Sequence, residues 1–146
     1  TDLNWVQLMN AYTCTECGRC SSVCPANETG KELSPRAIMM KTRDRLEEVG
    51  NNIDANKGVF KDDGKQLLKD YISPEELWAC TSCNACVEEC PVNIDPLSII
   101  MDMRQYLVME QSAAPQELNS MMSNIENNGA PWPYNQMDRL NWKDEA

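Results

Sequence analysis

Histidine is absent from this chain, and phenylalanine occurs once. Without imidazole there is no side chain that ordinarily exchanges protons near neutral pH. Metal sites that mix nitrogen with sulfur ligands are excluded as well. Basic residues are scarce: 13 Lys and Arg stand against 23 Asp and Glu, for a net charge of −10. A surface of that sign repels phosphate backbones and anionic headgroups, so neither nucleic acid nor lipid is an expected partner. No apolar run approaches the ~20 residues needed to span a bilayer. No secretory leader precedes Thr1, and no stretch alternates apolar and polar residues as a half-buried strand would. The missing initiator Met and the abrupt end at Lys143–Ala146 read as a piece of something longer.

What the chain does have is a modest core and an excess of sulfur. Its 146 residues suit about one domain, small for an enzyme with its own substrate pocket. Apolar residues make up 42% and charged residues 25%, as in soluble globular proteins. Nine Met and the Leu and Ile residues must supply most of the core, and Met packs adaptably.

All eight cysteines fall into two blocks. The first is Cys14-Thr-Glu-Cys17-Gly-Arg-Cys20-Ser-Ser-Val-Cys24-Pro25, and the second is Cys80-Thr-Ser-Cys83-Asn-Ala-Cys86-Val-Glu-Glu-Cys90-Pro91. Both read C-x2-C-x2-C-x3-C-P, the run that bacterial-type ferredoxins use for [4Fe–4S] clusters. Two-residue gaps let three successive thiolates wrap one corner of a cubane. The fourth cysteine lies one residue further on, before Pro, and is turned toward the other cluster. One cluster is thereby assigned to Cys14, Cys17, Cys20 and Cys90, the other to Cys80, Cys83, Cys86 and Cys24. Four disulfides would need strained local loops and an oxidising compartment. Zinc sites usually split their ligands into separated pairs, which makes a structural four-cysteine zinc scaffold for protein–protein contacts the alternative reading.

Neighbouring residues fit a cluster loop. Gly18 admits close backbone approach, and its counterpart Asn84 also tolerates unusual dihedrals. Thr15 and Thr81 are hydroxyl donors to sulfur or, more plainly, turn caps. Arg19 offsets cluster charge or is solvated. Trp78 is core that also shields the second block.

The halves echo each other beyond the cysteines. Ser34-Pro35 follows the first block and Asp95-Pro96 the second, each an N-cap with Pro at the first helical position. The expected helices are Leu3–Tyr12 with Trp5, Leu8 and Met9 on one face, Pro35–Val49 ended by Gly50, Lys65–Tyr71, Pro74–Ala79, Pro96–Met109, and one from Pro115 to Asn127 with Leu118, Met121, Met122 and Ile125 inward. Ser73-Pro-Glu-Glu resembles a capping box. Asn51–Asp63 reads as a loop. Arg36 and Arg104 are pairing candidates for nearby carboxylates, with solvation the plainer reading. The fold expected is all-α, with residues 1–128 as a dicluster domain of two pseudo-repeated helix–cluster-loop–helix units. Residues 129–146 are expected to form a tail without helical periodicity, or a connector to a further domain.

Two complete cysteine runs, a long helical spacer, Leu33-Ser-Pro-Arg36 and a helix bearing Arg104 together resemble the α-helical ferredoxins. Within that group the chain is similar to heterodisulfide-reductase-like (Fe–S)-binding oxidoreductases, relatives of the iron–sulfur subunits that serve glycolate, lactate and glycerol-3-phosphate oxidation. The segment Asn128-Gly-Ala-Pro-Trp-Pro-Tyr with Asp138-Arg-Leu-Asn-Trp142 is similar to the connector of those proteins, although Ala130 and Pro133 depart from it. The resemblance implies two [4Fe–4S] clusters and single-electron transfer within a larger oxidoreductase, without substrate chemistry in this chain. It implies redox partners of three kinds: a flavoprotein, a cysteine-rich catalytic domain or a quinone-reactive membrane unit. The acidic surface suits docking to a basic patch on such a partner. The expected location is the cytoplasm, at the inner face of the membrane where a partner or a further segment holds the chain there.

Overall fold

The computed structural model describes residues 3–143. The described chain divides into two compact units, Thr1–Tyr106 and Leu107–Ala146. Among the described residues there is no strand beyond an isolated bridge between Leu68 and Ile72, so the fold is all-α.

The first unit opens with α1 (Trp5–Thr13), capped by Asn4, whose side chain accepts from the Gln7 N–H while the Gln7 side chain accepts in turn from the Asn4 N–H. α2 (Arg19–Ser22) and α3 (Pro25–Glu28) are single turns that flank Cys24. α4 (Pro35–Ala55) starts at Ser34, whose hydroxyl accepts from the Ala37 N–H. α5 (Pro74–Trp78) carries the full capping box of Ser73 and Glu76. α6 (Ala85–Glu88) follows Cys83, and α7 (Pro96–Met109) is opened by Asp95, which accepts from the Ser98 N–H. α4 is the centre of this unit: α1, α2 and the 67–71 turn all pack on it. The core is Leu33, Ile38, Met39, Ile72, Leu77, Ile99 and Ile100, each fully buried.

Four expectations from the sequence are corrected here. The spacer helix does not stop at Gly50 but runs on to Ala55. A mid-helix glycine costs only about 1 kcal/mol relative to alanine. The extension is held by Asn52, whose amide donates to the Lys61 carbonyl and accepts from the Lys61 N–H. The real stop lies at Lys57 and Gly58, both left-handed, where Gly58 N–H bonds the Ile53 carbonyl in a Schellman closure. On α1 the buried residues are Gln7 and Ala11, while Trp5 and Met9 face solvent. Gln7 wins the inner position because its amide donates to Asp102 at 2.6 Å, which satisfies a polar group in the contact with α7. Leu67–Tyr71 is a turn and not a regular helix: Leu68 is extended and Lys69 has φ +84°. The Asp70 carboxylate accepts from the Gln66 N–H at 2.7 Å, a local bond that competes with helical pairing.

The fourth correction concerns the second unit. There α8 (Gln116–Asn128) ends at left-handed Gly129, one residue beyond expectation, but Met122 and Ile125 are exposed and not inward. The tail does contain helix, a 3-10 segment at Gln136–Lys143. Residues 144–146 of the expected tail lie outside the described residues.

Polar groups inside the first unit are paired. Arg45 is buried and grips Asp63 through two bonds of 2.6 and 2.8 Å, with a third to the Lys65 carbonyl. The guanidinium holds the Asp63 carboxyl down to about 2. This clamp ties the 57–66 loop to α4. Arg45→Met leaves Asp63 without its partner and should lower stability, by less than the loss of a fully buried pair would because Asp63 is partly wet. Anaerobic denaturant unfolding checks it. An unchanged midpoint would mean the loop is held by other contacts.

Candidate metal centres

Each cysteine block folds into the same local shape. The residue two places after the first cysteine is left-handed in both, Glu16 at φ +57° and Ser82 at φ +55°. The residue before the short helix is left-handed too, Gly18 at φ +82° and Asn84 at φ +67°. These alternating conformations curl the loop so that its cysteines project to one side. α2 and α6, the two short helices, then pack against each other and bring the blocks together.

Two concavities result. The first encloses about 380 Å3 of space, part of it open to solvent, and is lined by Cys14, Cys17, Cys20 and Cys90, with Cys86 on its wall. The second encloses about 310 Å3 and is lined by Cys80, Cys83, Cys86 and Cys24. All eight cysteines are unbridged. Cys24 and Cys86 are buried, whereas Cys17 and Cys83 are exposed.

The donor set fits iron–sulfur clusters better than single ions. Among the described residues no three Cys, Asp or Glu side chains stand close enough to hold one metal ion. Four thiolates on one zinc must each lie about 2.3 Å from it. A cubane presents its irons at separate corners and takes thiolates from further apart, around a space of the kind found here. The walls suit it as well: Met39, Ile94 and Pro96 border the first concavity, and Leu33, Pro35, Leu97 and Ile100 the second.

Backbone and hydroxyl donors surround the sulfurs. Ile94 N–H donates to Cys90 Sγ at 3.3 Å and Ser82 N–H to Cys80 Sγ at 3.4 Å. The Ala85 N–H and the Thr81 hydroxyl pull the Cys83 thiol below its ordinary value. Burial, reinforced by Cys80, Cys20 and Cys24, pushes the Cys86 thiol up to about 12. Ligation must therefore displace a proton that the site itself holds firmly.

Sequence reasoning missed the role of Arg104. Half-buried and paired with no carboxylate among the described residues, it donates to the Leu77 carbonyl at 2.6 and 3.0 Å, to the Cys80 carbonyl, and to Ser82 Oγ at 3.4 Å. Its guanidinium lies 5.0 Å from the ring centre of Trp78. Trp78 is thus a half-buried platform for Arg104, and Arg104 latches the start of the second loop to the end of α5. A basic residue on a core-bearing helix was visible in the sequence, but nothing there showed which backbone carbonyls needed a donor. Arg104→Met keeps the packing on Trp78 and removes the bonds. We expect iron loss from the second block under air to quicken several-fold relative to the first, followed by the decay of its visible absorption; equal rates at both blocks would show that the latch is dispensable.

Residues 13–94 match the 4Fe-4S dicluster domain family. Among curated proteins, the chain is 34% identical to the "Probable iron-sulfur-binding oxidoreductase FadF" of Bacillus subtilis, over 99% of this chain and 24% of that one. It is 32% identical to the "EtfAB:quinone oxidoreductase" of Syntrophomonas wolfei, over 99% of this chain and 23% of that one. It is 26% identical to a polypeptide of the dihydromethanophenazine:CoB–CoM heterodisulfide reductase of Methanosarcina mazei, over 97% of this chain and 34% of that one. The chain thus spans about a quarter to a third of the length of these relatives.

Proposed function

The chain belongs to the 4Fe-4S dicluster domain family, and from that premise we propose that it relays single electrons between two clusters with crossed ligand sets. Cys14, Cys17 and Cys20 share one cluster with Cys90, and Cys80, Cys83 and Cys86 share the other with Cys24. The observation that carries this reading is the composition of the two cysteine-lined concavities. In each, the first three cysteines of one block meet the last cysteine of the other. When bound, a [4Fe–4S] cluster accepts and returns one electron without needing a proton.

The chain's own residues supply the rest. Thiolates bind, and the N–H groups of Ile94, Ser82 and Ala85 steady sulfur charge. The buried Cys86 borders both sites, and the exposed Cys17 and Cys83 bring each site to the surface. Those exposed edges are where electrons enter and leave. Residues 1–128 serve as the relay and 129–146 as its connector to a further domain.

The partners we propose are redox proteins. A flavoprotein, a cysteine-rich catalytic domain and a quinone-reactive membrane unit are the three classes, and the relative from Syntrophomonas wolfei, named as a quinone oxidoreductase, favours the last as acceptor. No helix among the described residues is long and apolar enough to cross a membrane, so attachment to the inner face of the membrane would come through such a partner or a further segment. EPR of the anaerobic, dithionite-reduced protein tests the relay. Two magnetically interacting signals that integrate to about two spins per chain are expected. A single isolated signal would overturn it.

A further inference from the structure

The two cysteine-lined concavities differ in charge. The second has no ionisable side chain on its wall apart from its cysteines. The first is bordered by Glu16 and Arg36. Glu16 is already neutralised, since its carboxylate pairs with Arg43. Arg36 is not: its guanidinium has no carboxylate and no hydrogen-bond acceptor among the described residues, and only its backbone N–H is engaged, with Ser21 Oγ at 3.2 Å. A Cβ placed on Gly18 would stand 3.9 Å from Arg36 Nη1, so the guanidinium lies over the loop between Cys17 and Cys20. An unpaired cation held beside a thiolate-rich site is committed to no other partner and is free to act on the charge of that site.

We propose that Arg36 is the electrostatic tuning residue of the first cluster site, favouring the reduced state there and not at the second site. This rests on the reading that both sites hold [4Fe–4S] clusters, and it does not rest on which distant cysteine completes each set. Reduction by an external one-electron donor adds one negative charge to the site and breaks no bond. A nearby positive charge lowers the energy of that product more than that of the oxidised form. Neutral donors do not create the same contrast. The first site has Ser21 beside Cys20 and the Ile94 N–H on Cys90, while the second has Thr81 and Ala85 on Cys83 and the Ser82 N–H on Cys80. Arg19, beside Cys20, is exposed and is not on the wall of the first concavity, while Arg104 has its charge spread over two carbonyls, a hydroxyl and the Trp78 face and is not on the wall of the second.

The test is a mediator-coupled redox titration of the anaerobic holoprotein, followed by EPR, with the first-site signal identified as the one altered in Cys17→Ser. Arg36→Gln should lower the reduced-to-oxidised ratio of that signal at a fixed applied potential by about threefold or more, and leave the other signal in place. Arg36→Lys should hold the ratio within about twofold, because the charge is kept. In the unaltered protein, high salt should weaken the first site's advantage, since Arg36 is exposed and screening reaches it. The proposal is overturned if Arg36→Gln shifts both signals alike or neither, or if Arg36→Lys shifts the first as far as Arg36→Gln does. Failure of the cluster reading would look different: iron and sulfide would be absent from the starting protein.

Discussion

Cys24→Ser should cost the protein the cluster of the second cysteine block while leaving that of the first. Cys24 sits ten residues ahead of Ser34 in the first half of the chain, yet it lines the concavity of Cys80, Cys83 and Cys86. It is buried at 7% exposure, so no solvent ligand can readily take its place. Iron content should fall by about half, and the surviving EPR signal should be the one that responds to Cys17→Ser. The mirror substitution, Cys90→Ser, should remove the other half. If Cys24→Ser instead abolished the signal tied to Cys17, each block would hold its own cluster and the crossed ligand sets would be wrong. The strength of the expected effect comes from geometry: a four-ligand site short of one buried ligand has nothing nearby to replace it, because among the described residues no carboxylate lines the second concavity.

Removing both clusters should unfold most of the first unit. The concavities are bordered by residues that belong to its core, Leu33 and Ile100 on one side and Met39 and Ile94 on the other. Without the clusters these side chains would border two concavities that nothing fills. The single-turn helices α2, α3 and α6 are far too short to persist alone, since isolated helices below about 12 residues are marginal in water. The proposed crossing would also join segments that are distant along the chain, so its loss would free the entropy of a long loop. Far-UV circular dichroism after anaerobic chelation should show a large fall in helical signal and loss of a cooperative melting transition. A metal-free protein that keeps its helicity and melts cooperatively would show that the helices, not the clusters, organise the core.

The features legible in the sequence were those fixed by chemistry at one position or by short spacing. The cysteine runs, the caps at Ser34, Ser73 and Asp95 and the prolines that follow them each act within a few residues. That Gly18 and Asn84 suit an unusual backbone was readable for the same reason, and both prove left-handed. Features that depend on tertiary partners were not. Gln7 is buried because Asp102, on another helix, accepts its amide. α4 outruns Gly50 because Asn52 is bonded to a loop that returns to it. Arg104 latches carbonyls whose need for a donor arises only once α5 and the second loop are folded. Left-handed Glu16 and Ser82 gave no compositional signal, yet they occupy matching places in the two blocks, so an explicit alignment of the halves would have marked them together.

Everything turns on what the eight thiols hold. Iron and acid-labile sulfide, measured with zinc on anaerobically purified protein, decide it most directly. About eight iron and eight sulfide per chain, in a brown protein with little zinc, are expected for two clusters. A colourless protein with stoichiometric zinc, or a stably folded one with its thiols free or bridged to each other, would contradict it.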